Sequence, residues 1–133
     1  MQLKPAHPYP LTVVNILGMM TFQWILVGIF EETITRGLVQ SYLVEKLKGT
    51  VTLFKWNLHT GSIITAMIFG LGHLGPHLFF GRSWQTLVPH LLFALLYGLF
   101  SSYIYQETKS LAGPILMHNV VEGLLYSVDY FFY

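Results

Sequence analysis

The segment IFEETITRGL, residues 29–38, places two adjacent carboxylates and a guanidinium directly behind the uncharged run Leu11–Phe30. An ionisable side chain inside a membrane costs about 2.5–3.5 kcal/mol on insertion scales, and such groups usually face a bundle interior and mark function. Glu32 and Arg36 stand four apart and can pair along one helix face. Glu31 is turned by about 100° from Glu32 around a helix. The spacing predicts a division of labour: Glu32–Arg36 as a structural pair, and Glu31 facing a cavity as a general base for water. The plainer reading is a helix end at a membrane surface. Further on, His73 and His118 fall on otherwise apolar stretches, with Asn119 beside His118 and Glu122 one turn beyond it on the same face. Glu31, His73, His118 and Glu122 also form a credible nitrogen and oxygen ligand set for a metal, and a buried histidine could ligate a tetrapyrrole.

The scaffold for these residues is set by composition. The 133 residues are 53% hydrophobic and 10% charged, with a mean hydropathy of +0.56. An ordinary soluble domain is about 25% charged. Seven basic and six acidic residues are too few to cover a water-exposed surface. The length suits a single domain, residues 1–133. A net charge of +1 argues against a nucleic-acid partner. With no cysteine, thiolate metal sites are excluded and the redox compartment cannot be read. The start, KPAHPYP, lacks a signal-peptide pattern.

A spanning helix needs about 20 mainly apolar residues. Four stretches qualify, and they run apolar without the period of two that marks a barrel strand. The expectation is an all-α membrane protein, integral and multi-pass, with a bundle of about four transmembrane helices at 11–48, 58–80, 87–105 and 111–131. The first is one long helix or two with a kink near Gly28. At about 1.5 Å per residue it would be roughly 55 Å long, against a bilayer core of about 30 Å. Residues 49–57 are read as a turn. Glu31 and His73 then lie at similar depth, roughly 25 Å from that turn, on an antiparallel pair. The turn at 106–110 returns the chain so that His118 and Glu122 approach the same level. His90, after Pro89, is read as interfacial. Lys46, Lys48, Lys55 and Lys109 flank these two turns, against Lys4 and Arg82 on the other side, so the Lys-rich turns are expected in the cytoplasm.

Three motifs in order resemble the CAAX prenyl protease and bacteriocin-processing (CPBP, or Abi) family of intramembrane glutamate proteases. EETITR matches its EExxxR pattern, FGLGH (Phe69–His73) its FxxxH pattern, and SLAGPILMHNVVE (Ser110–Glu122) its last motif, which ends in HxxxN. The resemblance covers residues 28–125. It implies that Glu31 activates the attacking water, that His73 holds that water and shuttles its proton, and that His118 stabilises the oxyanion. Glu32 and Arg36 would support the site. It implies hydrolysis without an acyl-enzyme, a cofactor or a required metal.

The sequence departs from the family where the HxxxN asparagine is Glu122. An ionised glutamate accepts hydrogen bonds and cannot donate one. A protonated Glu122 or the neighbouring Asn119 could donate instead, or catalysis is lost. Relatives also usually carry additional helices before the first motif. Three functions follow from these readings. The first is an intramembrane endopeptidase acting on a membrane-proximal or lipidated peptide in the lipid bilayer. The second is a non-catalytic relative serving as a subunit or scaffold of a membrane complex, with partner subunits or a homo-oligomer. The third is a metal- or pigment-binding membrane protein.

Overall fold

The computed structural model describes residues 10–53, 55–80 and 84–132. Lys4, His7 and Arg82 lie outside them. The chain is mostly helical. Helix α1 runs unbroken over Val13–Lys46. Thr12 opens it, its side chain accepting from the Asn15 N–H at 3.2 Å, a typical N-cap. Two stretches, Phe22–Leu26 and Thr33–Gln40, are wound as wider π-helix. Such turns occur often at functional sites, and the second begins directly behind Glu32.

The expected turn at 49–57 is a β-hairpin, β1 Thr50–Leu53 paired antiparallel with β2 Trp56–His59. Its β-branched, alternating sequence TVTL and its two-residue connection favour strands over a loop. Gly49 precedes it with φ +100°, a conformation that suits glycine. The expected helix 58–80 divides into α2 (Thr60–Gly72) and α3 (Gly75–Phe80), parted by a turn at His73–Leu74. Helix α4 (Trp84–Thr108) is longer than expected and carries Pro89 inside it. Lys109, at φ 54°, turns the chain into α5 (Ala112–Phe132).

Small residues set how these helices meet. A Cβ on Gly98 of α4 would lie 3.1 Å from the Ala66 carbonyl of α2. A Cβ on Gly123 of α5 would strike the Trp24 indole of α1. Close backbone approach through small residues is the usual packing device of helices in lipid, where apolar attraction between helices is weak. Gln106 joins the two turns at one end. Its amide nitrogen donates to the Asn57 carbonyl (2.7 Å) and its oxygen accepts from the His59 N–H (2.8 Å). Trp56 stacks on Tyr103 with ring centres 5.0 Å apart.

The distribution of polarity is inverted. Buried among the described residues are Glu32, Arg36, Gln40, Ser62, Thr65, Ser101, Ser102, His118 and Asn119, against few apolar side chains. On α1 the stripe Glu32–Arg36–Gln40 faces inward while Phe30, Ile34, Leu38 and Tyr42 face outward. Water would demand the reverse; lipid rewards this arrangement. Two helices, Val13–Lys46 and Leu87–Thr108, are long and apolar enough to cross a membrane.

Candidate active site

The site grows from the inward stripe of α1. Glu32 sits at its centre and is fully buried. A buried carboxylate must be paired and hydrogen-bonded to be tolerated, and Glu32 is supplied from three helices. Arg36 Nη1 lies 3.2 Å from Oε1 and 3.1 Å from Oε2. From α4, Tyr97 donates its hydroxyl to Oε1 (3.1 Å) and Ser101 to Oε2 (3.0 Å). From α5, His118 Nδ1 reaches Oε1 at 2.7 Å. Arg36 is held in turn. Nη2 donates to the Gly98 carbonyl at 3.2 Å. Nη1 donates to Thr35 Oγ1 at 2.8 Å. Its guanidinium lies over the Phe69 ring, 4.4 Å from the centre.

These bonds orient His118. With Nδ1 turned to Glu32, Nε2 points toward Glu31, 3.8 Å from its Oε2. Glu31 keeps 42% of its side chain exposed, unlike its neighbour. One histidine thus stands between a locked carboxylate and an open one. In the turn that closes α2, His73 Nδ1 lies 2.8 Å from the Phe69 carbonyl. A carbonyl only accepts, so Nδ1 carries the proton and leaves Nε2 of the neutral ring as an acceptor. Phe69 touches both sides of the site, its ring centre 4.6 Å from that of His73 and 6.1 Å from that of His118.

A cavity of about 60 Å³ opens between α2, α4 and α5. His73, His90, Tyr97, His118 and Glu122 contribute to its lining, with apolar walls from Phe69 and Phe93. Its volume exceeds the roughly 10–15 Å³ that one water requires. Glu122 faces this cavity within electrostatic reach of His118, Glu31 and His73. Asn119 points elsewhere. Its Oδ1 accepts from the Gly28 N–H (2.8 Å) and its Nδ2 donates to the Ile25 carbonyl (3.0 Å). Both ends of that amide are engaged with the α1 backbone. Among the described residues, no group of three His, Asp or Glu side chains is arranged to hold a metal ion.

Sequence reasoning did not single out Tyr97, Ser101 or His90 for the site. Tyr97 and Ser101 hold Glu32, and the His90 ring lies 5.5 Å from that of His73. A signal was present: His90, Ala94, Tyr97, Gly98, Ser101 and Ser102 form a small and polar stripe at helical spacing along an apolar helix.

Helices with apolar outer faces around a buried glutamate, arginine and histidine centre define a membrane-embedded helical protein with an internal polar site. The family model for Type II CAAX prenyl endopeptidase Rce1-like proteins matches residues 13–124, and the chain belongs to that family. No curated protein and no solved structure matches it.

Proposed function

We propose that the chain is an intramembrane endopeptidase that cleaves a membrane-proximal or lipidated peptide with glutamate-activated water. The observation that carries this reading is His118, which lines the cavity, set between buried Glu32 and partly exposed Glu31. Glu31 takes a proton from water as the oxygen attacks the scissile carbonyl carbon. His73, with Nε2 as acceptor, holds the same water. With both ring nitrogens protonated, His118 donates a hydrogen bond from Nδ1–H to Glu32 and another from Nε2–H to the developing oxyanion. As the tetrahedral intermediate collapses, the C–N bond breaks and the proton taken by Glu31 passes to the leaving amine. This is general-base catalysis with a preorganised donor. The helices form a multi-pass bundle of about four spans, with the Lys-rich turns in the cytoplasm.

The test compares cells carrying the native chain with cells carrying Glu31→Gln, by mass spectrometry of protein termini in the membrane fraction. The expected result is a terminus lost in the variant, with its uncut precursor accumulating. No change at equal protein level removes the enzyme reading. Glu122, a carboxyl where the family pattern has an amide donor, favours a second reading: a non-catalytic relative acting as a subunit of a membrane complex. That reading expects a stoichiometric partner on purification, retained by Glu31→Gln.

A further inference from the structure

Behind the Glu32 centre lies a second polar layer that the proposed chemistry does not use. Three fully buried atoms in it lack a hydrogen-bond partner among the described residues: Arg36 Nε, Gln40 Oε1 and Ser102 Oγ. Each would cost about 1–3 kcal/mol if left unpaired. Their neighbours place them together. Arg36 and Gln40 are adjacent turns of the inward face of α1. Arg36 Nη2 bonds the Gly98 carbonyl, and Gln40 Nε2 bonds the Ser102 carbonyl (2.9 Å), one turn further along α4. Gln40 therefore lies against Ser102, and Arg36 against Gly98 one turn back on the same helix. The three atoms also complement one another: Nε–H only donates, Oε1 only accepts, and a hydroxyl does either. A water molecule takes two to four such partners.

We propose that this layer is a water-binding site, in which one buried water bridges Arg36 Nε, Gln40 Oε1 and Ser102 Oγ. The water completes a hydrogen-bonded chain through the molecule. From the hairpin it runs through the Asn57 carbonyl, Gln106 and Ser62, whose hydroxyl lies 3.1 Å from Gln106 Oε1. Gln40 Nε2 then donates to Ser62 Oγ at 2.9 Å. Gln40 Oε1, the water and Arg36 continue it to Glu32 and His118. The consequence is positional. The water fixes the guanidinium about its Nε–H while the two Nη groups hold Glu32 and α4.

The deciding experiment is an experimental structure of the full chain in lipid nanodiscs, at a resolution that shows ordered water. A peak within hydrogen-bonding distance of all three atoms is expected. No peak, with Gln40 Oε1 or Ser102 Oγ bonded directly to Arg36 or to each other, overturns the site. A thermal double-mutant cycle with Ser102→Ala and Gln40→Met gives a second readout. Ser102→Ala keeps the main-chain carbonyl that Gln40 Nε2 uses, so loss of that bond is not what couples the two changes, and the nanodisc structure separates a shared water from a direct Gln40–Ser102 bond. A double variant less destabilised than the sum of the singles is expected; strict additivity overturns the proposal. Neither readout requires protease activity, so failure here and failure of the enzyme reading are separable.

Discussion

At the scale of the residue, the two adjacent glutamates are not equivalent. Glu32 neutralises a buried arginine and receives donors from three helices; Glu31 keeps part of its carboxylate open. Removing one partner of a buried ion pair costs about 3–5 kcal/mol, because the other charge is left unpaired. Glu32→Gln is therefore expected to lower the melting temperature in detergent sharply, and Arg36→Met added to it to recover part of the loss. Glu31→Gln should leave melting nearly unchanged. Equal melting of the two single variants would refute this asymmetry. Glu122 offers the complementary gain. An amide there restores a donor facing the cavity, and one oxyanion donor is worth about 10²–10³ in rate. Glu122→Asn is expected to raise kcat on a cleaved substrate toward that range, with KM little changed. A rate that falls would mean that Glu122 takes part in the chemistry as an acid or base.

At the scale of the element, α1 and α5 are joined by an unusual bond. The Asn119 amide clasps Gly28 N–H and the Ile25 carbonyl beside the wide turn Phe22–Leu26. A Cβ on Gly28 would collide with Asn119 Oδ1, so the glycine and the amide require each other. Asn119→Ala is expected to cost about 1–3 kcal/mol, the range for buried groups left unpaired. Thermal unfolding followed by intrinsic fluorescence measures this, since Trp24 on the same joint donates to Ser127 at 3.1 Å. Much of this architecture was legible in the chain. Charges within apolar runs drew attention to Glu31, Glu32 and Arg36, and the turns led to the expectation that Glu31, His73 and His118 converge inside the bundle. What stayed hidden has physical causes. In lipid, a tyrosine or serine raises little contrast against an apolar stretch, so Tyr97 and Ser101 passed as ordinary helix residues. The hairpin was hidden because TVTL and WNLH are short and sit between polar turns. The role of Asn119 depends on the local winding of α1, which no spacing rule predicts.

At the scale of the whole molecule, the inverted distribution of polarity fixes which environment the chain needs, and the lysines then argue for its orientation. The hairpin and the α4–α5 turn are tied together by Gln106, so Lys48, Lys55 and Lys109 gather at one end. Short cytoplasmic loops carry an excess of Lys and Arg, and that bias sets membrane orientation. The 133 residues contain no cysteine, which makes this directly measurable. A single Lys55→Cys should resist a membrane-impermeant maleimide in intact cells and label after lysis. A single Gln85→Cys, exposed near the start of α4 at the opposite end, should label in intact cells. The reverse pattern would invert the orientation and put the open carboxylate of Glu31 in reach of the other compartment. Protection of both positions until lysis would mean that Gln85 lies within the bilayer rather than beyond it, since the unbroken α4 cannot cross and have both ends on one side.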